Sequence, residues 1–284
     1  MRRYFAYPYC VWLAVFVLAP LLLIAYYAFT GTAEDGSTYF TLQHARSFFV
    51  PRDGGGGATV YVRIALHSLQ LALYSTALCF LFGYPLAYIL AGRGFSGKSF
   101  LLFLFIAPMW MNFLVRTYAW LTILERNGLL NALLGFFGLP GVDILFTDTA
   151  VLLGMVYNFL PFMVLPIYTS LIKMDRRVIE AAQDLGANPA NVFFRVVFPL
   201  SMPGVVSGIT MVFMPSAATF IIPNLLGGRQ YFLLGNLVEQ RFITFQDWGF
   251  GSMVAVVMMG LMLASTLLLS LFDKQETMEG GRLI

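Results

Sequence analysis

Six long apolar stretches divide the chain, at about 9–30, 64–91, 99–124, 149–172, 203–226 and 249–272. Each reaches the roughly 20 residues that a helix needs to cross about 30 Å of hydrocarbon. The last three contain no Asp, Glu, Lys or Arg. The pattern predicts an all-α membrane protein with six transmembrane helices in a single domain, 1–284. The first stretch follows Arg2-Arg3. Its apolar run exceeds the roughly 7–15 residues of a secretory signal, and no A-x-A site closes it, so it reads as a retained span.

Polar connections set the orientation. Six spans put both termini on one side. That side, with the 92–98 turn, the 173–200 loop and the tail, carries ten Lys and Arg, against six on the other. The excess, dense at Lys173–Arg177, predicts cytoplasmic termini. Tyr4, Trp12, Tyr26, Tyr27, Trp120 and Trp248 near span ends fit interfacial belts. Residues 31–62, with the Gly54–Gly57 run, and 125–148 form external connections.

The one substantial cytoplasmic loop, 173–202, reads as two short helices. The first, about 176–185, stops at Gly186, a residue suited to helix termination. Asn188 caps the second, with Pro189 at its first position. That helix is expected to run to about Phe198 and stop before Pro199. Val192, Phe193, Val196 and Val197 form an apolar stripe at helical spacing. A short amphipathic hairpin tied to spans four and five suits contact with a partner; the alternative is a helix lying on lipid.

Composition narrows the function. The chain is 59% hydrophobic and 11% charged, with mean hydropathy +0.79. Soluble domains carry about 25% charge, so a water-soluble enzyme is close to excluded. A net charge of +3 is too small to argue for a nucleic-acid partner. Cys10 and Cys79 lie in apolar runs, which does not suggest a disulfide framework. Gly92–Ser99 matches G-x4-G-K-S letter for letter. That chemistry requires a preceding strand and an α/β core, whereas apolar helices flank it here. No HExxH or Cys/His metal spacing occurs, and the spans offer His67 but no carboxylate. Neither a catalytic residue nor a metal site is predicted.

The prolines within spans carry more. Pro85, Pro108, Pro161, Pro166, Pro215 and Pro223 each remove a helical hydrogen bond. Broken helices in membranes are tolerated where protein or a water-lined cavity satisfies the freed groups. Asn112, Tyr157, Asn158, Ser216, Thr219 and Asn224 lie near these breaks and are candidates for a translocation path. Arg116 lies 18 residues beyond Lys98, about 27 Å along a straight helix. That predicts a place near the external interface and a structural or gating ion pair, with Glu125 or Asp148 as partner.

Glu180-Ala181-Ala182, Gly186 and Pro199-Leu200-x-x-Pro203-Gly204 together resemble the EAA loop of permease subunits in binding-protein-dependent ABC importers. The resemblance implies a type I importer permease fold with a cytoplasmic coupling-helix loop. It implies docking of a separate ATP-hydrolysing subunit dimer through Glu180, Ala181, Ala182, Asp184, Gly186, Asn188, Pro189 and Arg195. ATP and Mg²⁺ would then sit on that partner, and this chain would bind no cofactor. A second permease subunit of a different chain and an extracytoplasmic substrate-binding protein would complete the assembly in a bacterial inner membrane.

Further segments resemble spermidine/putrescine permease subunits. They include Gly83-Tyr84-Pro85-Leu86-Ala87, Arg116-Thr117-Tyr118-Ala119-Trp120, Leu160–Tyr168 and Pro223-x-Leu225-Leu226-Gly227-Gly228. The resemblance implies polyamine import. Some members carry a Glu in span five where this chain has Thr219, so the substrate's charge would be met by the partner permease or by rings such as Tyr157. The alternatives are another small solute in the same importer class, or an ion-coupled secondary transporter. The latter usually brings an ionisable coupling residue into the membrane.

Overall fold

The computed structural model describes residues 7–32, 37–50, 59–92, 97–228 and 231–280. The Gly54–Gly57 run, Arg93–Ser96 of the G-x4-G-K-S match, Tyr4, and Arg2, Arg3, Arg52, Arg229 and Arg282 of the charge comparison lie outside the described residues. Among the described residues five helices are long and apolar enough to cross a membrane, and a bent pair makes a sixth. The chain gathers into two compact units, residues 1–68 with 232–263 and residues 69–231 with 264–284.

In the first unit, α1 (Tyr7–Leu13) and α2 (Ala19–Phe29) are joined by a π turn at Ala14–Leu18 into the first span. Part of the connection that reads as a loop in the sequence carries secondary structure among the described residues. Strands β1 (Thr30–Thr32) and β2 (Thr38–Phe40) pair antiparallel with Gly31 opposite Tyr39, and α3 (Gln43–Phe49) follows. Thr, Tyr and Phe suit a half-exposed ribbon, and its short length hides it in a sequence scan. The unit also holds the start of α4 (Val60–Ala91), α13 (Leu234–Glu239) and the first half of α14 (Trp248–Gly280). Its core is Phe48, Ala65, Leu234, Leu237, Phe250 and Val254. The Ser68 hydroxyl accepts from the Leu234 backbone N–H at 2.8 Å and ties α13 to α4.

The second unit centres on α8 (Asp148–Lys173), the most buried span at 56%, against 6% for Val11–Phe29. It packs antiparallel on α11 (Phe198–Ala218). Glycines permit the close approach. A methyl group at Gly204 would lie 2.6 Å from Ser170 Cβ and 2.8 Å from the Pro166 carbonyl oxygen. At Gly208 it would lie 2.8 Å from Met163 Sδ.

Two spans differ from the sequence expectation. The third is not one straight helix over 99–124. Helix α5 (Lys98–Ile106) runs into a 3₁₀ turn, Ala107–Trp110, and breaks before α6 (Phe113–Leu124) and α7 (Leu129–Phe136). The two halves meet at 99°. Pro108 donates no backbone hydrogen bond, and the Asn112 side chain accepts from Leu114 N at 2.9 Å to start α6 afresh. The straight-helix distance from Lys98 to Arg116 therefore does not hold.

The fifth span also differs. The second loop helix does not stop before Pro199. It starts as α10 (Pro189–Val192), passes through a π turn at Phe193–Val197 and continues as α11, one apolar helix from Pro189 to Ala218. The π turn redirects hydrogen bonding, Phe198 N to Phe193 O, just before the proline ring enters. The span then ends at Ala218 rather than 226. Thr219 and Phe220 interrupt it before α12 (Ile221–Leu226).

Candidate functional site

The 173–202 loop folds as a capped hairpin. Asp175 starts α9 (Arg176–Asp184) by accepting from Arg177 N at 3.0 Å. Gly186 ends it at φ +80°, a left-handed conformation that carries almost no penalty in glycine. Ala187 N reaches back to Ala182 O at 3.0 Å and Gly186 N to Gln183 O at 2.9 Å, closing the last turn. The Asn188 side chain then accepts from Asn191 N at 2.7 Å, with Pro189 first in the next helix. Three caps thus fix the turn without a large core.

Glu180, Ala181, Asp184, Gly186, Asn188, Pro189 and Arg195 are exposed, and Ala182 is half-buried. Val192 and Val197 are buried and Phe193 and Val196 half-buried, which is the expected stripe turned inward. Sequence reasoning passed over the apolar residues on the outside. Leu185 is 89% exposed at the tip and Phe194 67% exposed. Their position off the stripe was the available signal.

The path candidates divide. Asn112 is the cap of α6. Tyr157 stands on α8 with its ring 5.2 Å from Trp120. Arg116 lies over the same ring at 5.9 Å and over Phe113 at 5.8 Å, and donates from Nη1 to Pro108 O at 3.1 Å. These described contacts are to a carbonyl and two rings, where the sequence suggested Glu125 or Asp148. Arg116 thereby spans the break in the third crossing.

Asn158 donates to Gly154 O at 2.8 Å, but its Oδ1 is buried without a partner, as is Ser216 Oγ. In the antiparallel α8–α11 register, Gly208 faces Met163 and Gly154 faces α12, which puts Ser216 near the level of Asn158. Thr219 lies at the break after α11, and Asn224 is exposed on α12. In the lipid interior an unpartnered polar atom costs several kcal/mol, so these two oxygens are candidate polar points, one on α8 and one on α11.

The first unit holds a cavity of about 1400 Å³ lined by Tyr27, Tyr39, His44, Tyr61, Arg63 and Trp248 among others. Arg241 braces its wall. Its Nη2 donates to the Tyr61 hydroxyl at 2.9 Å, Nη1 lies 3.6 Å from Asp247, and the guanidinium covers Phe250 at 4.8 Å. The end of the first span, the stretch 31–63 and the stretch 241–250 contribute its lining.

Neither hairpin nor seam offers a nucleophile with a base, and among the described residues no group of His, Cys, Asp and Glu could hold a metal ion. An exposed rigid hairpin continuous with a membrane helix suits mechanical work. The family described as "Binding-protein-dependent transport system inner membrane component" matches residues 83–277. The chain belongs to this family. It is a multi-pass inner-membrane permease of the ABC importer type. The permease is 38% identical over 260 residues to the spermidine/putrescine transport system permease protein PotB of Escherichia coli K12, covering 89% of this chain and 91% of that one. Its fold matches a bacterial ABC transporter involved in the import of the acidic polysaccharide alginate, with TM-score 0.79 at 15% identity over 96% of both chains. It matches equally a second structure of a bacterial alginate transporter, in complex with an alginate pentasaccharide-bound periplasmic protein, at 14% identity and 96% and 95% coverage.

Proposed function

We propose that the permease forms half of the translocation path of an ATP-driven importer for polyamines, with all of residues 1–284 acting as one membrane domain and both termini in the cytosol. The observation that carries the coupling role is the continuity of the hairpin with the fifth span. α10, the π turn and α11 are one helix, so a push on Glu180–Arg195 from the cytosol tilts α11, which carries the buried Ser216 hydroxyl, against α8. An ATP-binding subunit docks on the exposed Leu185 and Phe194 and on the acidic Glu180 and Asp184. ATP and Mg²⁺ stay on that subunit, and this chain supplies no catalytic group. A second permease chain closes the path, and an extracytoplasmic binding protein delivers solute to the side bearing the aromatic cavity.

The polyamine reading is supported by the identity to PotB. Thr219 stands where some members carry a Glu, and the Tyr157 ring already carries Arg116. Compensation of the substrate's charge therefore falls to the partner permease. The same two observations favour, as a second reading, a less highly charged solute in the same importer class.

Reconstitution tests both. The permease purified with its partners in nanodiscs should hydrolyse ATP in response to the loaded binding protein, and proteoliposomes should accumulate labelled spermidine only with ATP. Uptake driven by an ion gradient without an ATPase would overturn the reading. ATP-driven uptake of another solute, with no competition by spermidine, would favour the second.

A further inference from the structure

Tyr84 lies outside the hairpin, yet it is a buried polar group in contact with both Phe193 and Phe198. It lies on α4, 5% exposed, with its hydroxyl 2.9 Å from Ser201 Oγ on α11. Ser201 is fully buried and donates its own proton to Phe198 O at 2.8 Å. The proton between the two hydroxyls therefore comes from Tyr84, giving a directed chain from phenol to serine to backbone carbonyl.

Rings surround this bond. Tyr84 meets Phe198 at 5.5 Å and Phe193 at 5.8 Å, and Tyr88, one turn on, meets Phe193 at 5.4 Å. Phe193 opens the π turn and Phe198 follows it. Here the lever is weakest, because Pro199 and Pro203 lack the N–H groups that would bond to the carbonyls of Arg195 and Pro199. A helix short of these bonds bends under load.

We propose that Tyr84 clasps the lever to the second span at its weak point. It is a positioning residue that transmits the thrust of the coupling hairpin into the α4–α8–α11 cluster. The same stretch of α4 already rests on α8, where a methyl at Gly83 would lie 3.1 Å from Met163 Cγ. With the clasp closed, the lever moves with α4 as a unit. With it open, the thrust is absorbed by bending at Pro199. This rests on the coupling role proposed above.

The test measures solute taken up per ATP hydrolysed by the complete importer in proteoliposomes, together with its thermal stability. Tyr84→Phe removes one hydroxyl and keeps the ring, and leaves Ser201 bonded to Phe198 O. Uptake per ATP should fall about threefold to tenfold, the equilibrium shift that one net hydrogen bond carries, while hydrolysis persists. Ser201→Ala should act alike, and the double variant should be no worse than either single change, as for two ends of one bond. Tyr74→Phe, exposed on the same helix, should leave the ratio unchanged. An unchanged ratio in Tyr84→Phe and Ser201→Ala overturns the clasp. So does a parallel loss of hydrolysis, uptake and thermal stability, which is a structural role only. Absence of ATP-driven uptake by the unaltered complex overturns the coupling reading itself, and the clasp with it.

Discussion

Gly186 allows docking to be separated from folding. Its φ of +80° lies where an L side chain costs about 1–2 kcal/mol, and where Asn is better tolerated than other residues. A Cβ built there meets nothing within 4 Å in this chain. The local penalty should therefore be similar for Ala and Trp, about 1 kcal/mol, and smaller for Asn. Each of these side chains starts from a Cβ in open space. If a partner closes over the tip, Trp at this position has to be accommodated in a packed contact. Overpacking costs about 1–3 kcal/mol, or roughly fivefold to 150-fold in affinity.

The expected order for ATP-binding subunit affinity is wild type, then Asn, then Ala, with Gly186→Trp far below. Titration of the purified ATP-binding subunit onto nanodisc-embedded permease reads this directly, and thermal melting of the free permease should show Ala and Trp alike. If Trp binds the subunit as tightly as Ala, the tip faces no partner, and the docking argument fails whatever the effect on stability.

Three other outcomes follow from the geometry. Gly204→Ala forces Cβ against the Pro166 carbonyl, which cannot rotate away, so thermal stability should fall by about 1–3 kcal/mol, more than for Gly208→Ala, where the flexible Met163 sulfur can yield. Arg116→Gln loses a charge-assisted hydrogen bond across the 99° bend and two ring contacts, and should cost about 1–3 kcal/mol in a melting assay; an unchanged melt would mean that Arg116 does not hold the bend. Ser216→Ala removes an unpartnered buried oxygen and should leave stability equal or higher. Slower uptake in that variant at undiminished stability would support a place for Ser216 on the path, and a less stable protein would show that the hydroxyl has a structural partner.

Local chemistry made the hairpin legible. Asn188, Pro189 and Gly186 act within three or four residues of themselves, through caps and a left-handed turn, so residue order was sufficient. Apolar length sufficed likewise for the spans on α2, α4, α8 and α14. Prolines misled in both directions. Pro199 reads as a stop, but a proline inside a helix removes one bond, and the preceding π turn made room for the ring. Pro108 reads as a kink, but with Asn112 capping a new helix the third crossing breaks outright. The Arg116 seat, the glycine-lined approach of α11 to α8 and the Tyr84–Ser201 bond join residues from 8 to 117 positions apart. Such pairs are chosen by how remote surfaces fit once helices pack, and no local preference in the chain encodes that choice.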